Sequence, residues 1–285
     1  MQNIGNSLRD IREALALSQK QLADGIMSQS NYSKVESGTI EISFTKMLEI
    51  LDRLDMSLEE FIYINNQYSN KPEKKRNYLN KLKYNDKQLL SKYIAELNSI
   101  QKPTTKEKEL LSVFEALLFI AEDNDYEKAK EKVAPIWKRL EKYDNWYLYD
   151  IQLINNILFI FPPDTALSIS ELALSKLDKY SGLRGVANLS INIQLNLSLH
   201  LINEYYYKAA LDTIDELIYT CLEKNYLMYL AVCYVRKGLL HELLGKTDYS
   251  KWYDEGYNLL EATQNENLRK ELEKEVKHYL KKVKR

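Results

Sequence analysis

Apolar positions recur three and four residues apart along almost the whole chain, and few breakers interrupt them. With only 8 Gly and 5 Pro in 285 residues, that pattern predicts an all-α protein. In residues 3–16 the core stripe reads Ile4, Leu8, Ile11 and Leu15. Residues 18–38 predict two short helices joined by a turn near Ile26 and Met27. The first is capped by Ser18, with Leu22, Ala23 and Ile26 on one face; the second is capped by Ser28, with Tyr32 and Val35 pointing inward. Gly38 closes the second helix, because glycine enters the left-handed region without a Cβ penalty. A fourth helix over 43–55 offers Phe44, Met47, Leu48, Ile50, Leu51 and Leu54 to a core. A fifth over 56–64 starts at Ser57 with Glu60 in capping-box register. Five short helices in about 65 residues approach the smallest unit that builds its own core.

From Asp86 onward the helical pattern repeats. Segments 125–133, 163–174, 206–217 and 248–260 look like corresponding helices, with Ala129, Ala166, Ala209 and Trp252 in register. Apolar helices over 106–121, 146–161, 183–202 and 226–244 lie between them. Helix pairs at this period predict a degenerate tetratricopeptide-like α-solenoid, whose concave face is lined by the first helix of each pair. The final helix, from Asn265, carries a narrow stripe of Leu268, Leu272, Val276 and Leu280, suited to capping the array or to joining two copies. The domain layout is therefore 1–65, a basic linker over 66–85 broken by Pro72, and an array over 86–285.

Composition narrows the chemistry. A formal net charge of −1 gives no whole-chain basic excess, and residues 1–65 hold six Lys/Arg against ten Asp/Glu. Phosphate affinity, where needed, must come from a local face (Arg9, Arg12, Lys20, Lys34, Lys46), from a second copy, or from Lys74, Lys75 and Arg76 in the linker. Cys221 and Cys233 sit in apolar helical contexts and read as buried free thiols. His200, His241 and His278 are scattered, without metal-ligand spacing, and no phosphate loop or nucleophile elbow is present. No metal, cofactor or enzymatic role is expected. Neither a leader peptide nor a membrane-length apolar run is visible, so a cytoplasmic protein without membrane contact is expected.

The sharpest functional signal is the helix after Ser28. Its outer face of Gln29, Ser30, Asn31, Ser33 and Lys34 can hydrogen-bond base edges and phosphates in a major groove. The pattern L-R-x-I-R at Leu8 to Arg12, S-Q-x-Q-L-A at Ser18 to Ala23, S-x-S-x-x-S-K-x-E-x-G at Ser28 to Gly38 and S-L-E-E-F at Ser57 to Phe61 resembles the XRE/Cro-like helix-turn-helix domain. The resemblance implies that Gln19, Gln29, Ser30, Asn31 and Lys34 contact DNA, and that Arg12 pairs with Glu36. The turn is about one residue shorter than that family's common pattern, and Met27 stands where a glycine is usual.

Such a domain followed by a tetratricopeptide-like array resembles the Rgg/GadR/MutR regulators of Gram-positive bacteria. The run from Trp146 to Phe161 and the chain length add to the likeness. It implies a homodimer on double-stranded promoter DNA that responds to a short signalling peptide, with RNA polymerase as a further partner. Candidate peptide contacts are Asn188, Asn192 and Asn196, four residues apart on one helix face, with Asn155, Asn156, Tyr229 and Arg236 on neighbouring helices. A row of amides, each donor and acceptor, can clamp a peptide backbone. The competing expectations are that these side chains satisfy one another between packed helices or face solvent. In function, the rivals are a ligand-independent repressor that uses the array only to dimerise, and a protein-docking module.

Overall fold

The computed structural model describes residues 3–69, 79, 86–183 and 185–283. The linker cations Lys74, Lys75 and Arg76 lie outside the described residues. Two compact units emerge, Met1–Asn77 and Tyr78–Arg285.

The first unit holds α1 (Ile4–Ala14), α2 (Gln19–Ala23), α3 (Gln29–Glu36), α4 (Phe44–Arg53) and α5 (Leu58–Asn65). Each helix begins on a residue whose side chain accepts an otherwise orphaned backbone N–H: Asn3, Ser18, Ser28, Ser43 and Ser57. Ser57 accepts from Glu60, while the reciprocal capping box forms at Ser18 and Gln21. Leu8, Leu22, Tyr32, Val35, Ile50, Leu51 and Phe61 make the core.

Two apolar expectations fail here. Ile4 and Leu15 are exposed, because α1 turns Gly5, Leu8, Ile11 and Arg12 inward. Gly5 is required at that crossing: a Cβ there would lie 2.1 Å from the Val35 carbonyl oxygen of α3. On α4, Phe44 is 66% and Leu48 42% exposed, so two of the six apolar positions point away from the core. The turn after α2 takes its left-handed residue from Gly25 (φ +71°), two positions before Met27. Arg53 then donates to the carbonyls of Gln21, Leu22 and Asp24, closing the exposed end of α2 onto α4.

The second unit runs α6 (Lys87–Asn98), α7 (Thr105–Asp123), α8 (Tyr126–Leu140), α9 (Leu148–Ile157), a 3-10 turn Leu158–Ile160 and α10 (Pro163–Leu177). It continues, beyond a 3-10 turn at Asp178–Tyr180, with α11 (Val186–Asn203), α12 (Tyr207–Glu223), α13 (Leu227–Leu243), α14 (Tyr249–Ala262) and α15 (Glu266–Val283). The pairs are α7/α8, α9/α10, α11/α12 and α13/α14. Their first helices α7, α9, α11 and α13 pack successively on one another, and α15 continues the layer. This is the packing of an α-solenoid, in which each repeat buries its apolar face against the next.

The third pair corrects the register. Its buried small residue is Ala210, the fourth of α12, matching Ala129 and Ala166 in their own helices, and Ala209 is only half-buried. In α14 the close approach is made by Gly256, where a Cβ would lie 2.6 Å from Val235. Leu272 is buried and Leu268, Val276 and Leu280 pack on the array core. The α15 stripe is thus covered by its own chain, which is the capping arrangement. Cys221 and Cys233 are buried free thiols. Among the described residues no helix is long and apolar enough to cross a membrane, and no group of acidic, His or Cys side chains is placed to hold a metal ion.

Candidate functional site

The exposed face of α3 is built on a buried charge. Glu36, the last residue of α3, has no exposed surface. Its Oε1 accepts from Arg12 Nε at 2.6 Å and its Oε2 from Arg12 Nη2 at 3.0 Å. The Arg12 guanidinium also donates to the Leu17 carbonyl and to Glu13. A bidentate arginine–carboxylate pair holds both planes in one orientation, so α1 and α3 are locked at their crossing. Burial alone would raise the Glu36 pKa, but the hydrogen bonds from Arg12 and Gln19 and the Arg12 charge outweigh it, and the carboxyl is held below its ordinary value. Tyr32 beside it is pushed up, first by burial and then by the Glu36 charge.

Arg12 is offered by the sequence as one of the cations for phosphates, and the resemblance pairs it with Glu36; the structure makes the pair. It is buried, with four hydrogen bonds to Glu36, Glu13 and the Leu17 carbonyl, so it positions α3 from within. Arg9 remains partly exposed, 3.8 Å from Glu36 Oε2. From this hub a chain of amides leads outward. Gln19 Nε2 donates to Glu36 Oε2 at 2.8 Å, and Gln29 Nε2 donates to Gln19 Oε1 at 2.6 Å. The structure therefore brings together Gln19 and Gln29, ten residues apart in sequence, and places Ser30, Asn31 and Lys34 exposed and Ser33 half-buried on α3. The Ser28 hydroxyl, which accepts from Asn31 N–H, fixes the helix start. Gly38 (φ +71°) ends it. The result is a short helix that presents Ser30, Asn31 and Lys34 to solvent, with Gln29 exposed beside them and tied to Gln19.

In the array the polar residues behave differently. α9 loosens into the 3-10 turn after Ile157, and α11 satisfies the carbonyls freed there. Asn196 Nδ2 bonds the Asn155 carbonyl at 3.3 Å and the Asn155 side-chain oxygen at 3.0 Å. One turn on, His200 Nε2 lies 2.9 Å from the Phe161 carbonyl oxygen. Burial lowers the His200 pKa, more than that bond and Glu204 raise it, which keeps the ring neutral at pH 7. Asn156 is buried and donates to the Gln152 carbonyl of its own helix. Arg236 is buried on α13, with bonds to the Leu195 carbonyl at 2.7 Å, to Ser198 and bidentately to Glu275 of α15.

Asn155, Asn156, Asn196 and Arg236 thus tie neighbouring turns and helices together rather than presenting free groups, which corrects the expectation of an open clamp. Asn188 is exposed, and Asn192 and Tyr229 are half-buried. Neither asparagine side chain has a hydrogen-bond partner among the described residues. A further tie escaped sequence reasoning: Arg139 at the end of α8 joins Glu109 of α7 (2.5 Å) to Asp150 of α9 (3.2 Å). Its partners lie 30 and 11 residues away, so no local pattern announces it.

Comparisons with known proteins agree with both halves. Residues 8–61 match a helix-turn-helix family model. Residues 63–251 match the model of the C-terminal domain of the HTH-type transcriptional regulator Rgg. A comparison with curated protein sequences gives no significant match. Among solved structures, a protein of Listeria monocytogenes EGD-e assigned as a transcriptional regulator superposes with a TM-score of 0.77 at 19% identity, over 99% of both chains. The Streptococcus dysgalactiae SHP pheromone receptor Rgg2 gives 0.68 at 18%, over 98% of this chain and 99% of that one. Bacillus thuringiensis PlcR, solved with the peptide PapR7 and DNA, gives 0.64 at 18%, over 95% and 99%. At these identities the structural likeness speaks for the fold, and the family model, spanning well over half of the chain, speaks for descent: the chain belongs to the Rgg family of helix-turn-helix transcriptional regulators.

Proposed function

We propose that this chain is a peptide-responsive transcriptional regulator that reads promoter DNA with α3 and senses a short peptide in its helical array. The observation that carries the reading is the α3 face: Gln29, Ser30, Asn31 and Lys34 stand exposed on a helix held from behind by the Arg12–Glu36 pair. That is the geometry of a recognition helix entering a major groove. Family membership supports it, as do fold relatives solved with DNA and with signalling peptides.

The reading includes a cytoplasmic homodimer. The first unit is acidic overall, so two copies on paired half-sites supply affinity that one lacks. The exposed Phe44 and Leu48 on α4 offer an apolar face suited to a second copy. We assign the reader to residues 1–65, the basic linker to 66–85 and the sensor to 86–285, with Lys74, Lys75 and Arg76 on flanking phosphates and RNA polymerase as a downstream partner. Asn188, Asn192 and Tyr229 are the array groups left to hold a peptide; Asn155, Asn196 and Arg236 set the shape around them. Peptide binding would act by favouring one of two array arrangements, to the extent of its differential affinity for them.

The internal engagement of those three residues also favours a second reading, in which the array serves assembly and takes no ligand. Footprinting of the purified full-length protein on DNA beside its own gene, with and without short peptides encoded nearby, separates the two. A footprint that changes with peptide supports sensing; one unchanged at saturating peptide supports the ligand-independent repressor, and no footprint rejects both.

A further inference from the structure

We infer that Glu36, acting through Gln19, fixes which way the Gln29 amide faces and so commits that position of the recognition helix to an adenine edge. The inference rests on the DNA-reading role proposed for α3.

An ionised carboxylate only accepts hydrogen bonds. Glu36 Oε2 lies 2.8 Å from the Gln19 side chain, so Gln19 must turn its NH2 group inward. Its oxygen then points outward, toward Gln29, whose amide lies 2.6 Å away. Gln29 must in turn present its own NH2 group to that oxygen. What remains free on Gln29 is one carbonyl oxygen and one N–H. In the major groove adenine offers N7 as acceptor and N6 as donor, the complement of that pair, whereas guanine offers two acceptors, N7 and O6. Reversing Gln29 would expose two N–H donors, the guanine pattern. It would also require Gln19 to turn its oxygen against the Glu36 carboxylate, with no proton between them. The buried pair with Arg12 (2.6 and 3.0 Å) holds the carboxylate in place. Glu36 is therefore a positioning residue for base choice, two hydrogen bonds removed from the Gln29 amide that meets the base.

The test uses the full-length protein and a randomised duplex library. Enriched duplexes are resynthesised with each base pair at every motif position, and affinities are measured for wild type, Gln29→Ala, Gln19→Leu and Glu36→Gln. Wild type should prefer adenine at one position by about fivefold or more, the lower range for a bidentate contact, and 7-deazaadenine there should erase the preference. Gln29→Ala should abolish it at that position alone. Gln19→Leu, a change at a half-buried surface position, should narrow it to under about twofold and leave the rest of the motif intact. Glu36→Gln can donate to Gln19 and should shift the preference toward guanine. If Glu36→Gln does not fold, as its melting curve will report, Gln19→Leu decides alone. A motif whose adenine preference survives Gln19→Leu, or a wild-type protein that reads guanine through Gln29, overturns the relay while leaving DNA reading intact. No enriched motif at all overturns both.

Discussion

The two units use the same kinds of side chain to opposite ends. In the first unit Ser30, Asn31 and Lys34 stand exposed on a helix whose own backbone is satisfied by its cap and by the Gly38 turn, and Gln29 gives one N–H to Gln19 while the rest of its amide faces outward. In the second, α9 is short and runs into a 3-10 turn, and the amides and rings facing it are drawn in to satisfy carbonyls. An asparagine row on a helix is thus a ligand clamp only where the neighbouring helix leaves it nothing to cap. Asn196 faces such a need; Asn188 and Asn192 do not.

The comparison breaks most readily at its buried charges. Arg236→Ala strands Glu275 and removes the tie among α11, α13 and α15. The second unit should lose about 3–5 kcal/mol, read by chemical denaturation, while the melting of residues 1–65 is unaffected. A loss under about 1 kcal/mol would mean that the tie is dispensable. Next in size, Gln29→Ala combined with Lys34→Ala should weaken binding to a selected duplex by roughly 30-fold or more, combining a base contact and a phosphate contact. Far-ultraviolet circular dichroism should be unchanged. Asn196→Ala should cost about 1–2 kcal/mol by leaving Asn155 without its partner, whereas Asn192→Ala should cost almost nothing. Equal costs would erase the distinction drawn between them.

The smallest effect concerns pH. Glu36 titrates below its ordinary value in the folded chain, so its stabilising contribution is full above the unfolded carboxylate range, near pH 4.5. It falls as acid carries the solution down through the folded value. Acid titration of the wild type should therefore show a loss of first-unit stability below that pH that Glu36→Gln lacks. A parallel loss in both proteins would assign acid sensitivity to other carboxylates.

The first unit was largely legible in the sequence because its signals are local. Ser18, Ser28 and Ser57 each cap the helix that follows, and Tyr32 and Val35 point inward as their spacing requires. What spacing could not supply was which apolar positions stay outside. Phe44 and Leu48 are exposed although their period fits the α4 core, and Ile4 is displaced outward because Gly5 takes the contact with α3. The pairing of Arg12 with Glu36 came from family resemblance, and the contact between Gln19 and Gln29 from the structure alone. In the array, the starts of the expected helices followed from periodicity to within three residues, while α8 and α12 run on to Leu140 and Glu223, past the expected ends at 133 and 217. The ties through Arg139, Asn196, His200 and Arg236 join residues 11 to 41 apart, beyond the reach of any local pattern. They depend on where α9 loosens, which apolar spacing in the Leu158–Ile160 stretch does not betray.

The central claim is that the array senses a peptide through its free amides and passes the result to the DNA reader. The most direct measurement is the affinity of the full-length protein for its selected duplex across a titration of short peptides encoded beside its gene, with Asn192→Ala run in parallel. The account predicts that a peptide shifts wild-type affinity by about fivefold or more, the usual lower range of coupling between sites. Asn192→Ala should need at least about tenfold more peptide for the same shift, having lost backbone hydrogen bonds to the ligand. A wild-type affinity that no such peptide moves, or a shift that Asn192→Ala reproduces at the same peptide concentration, would contradict it.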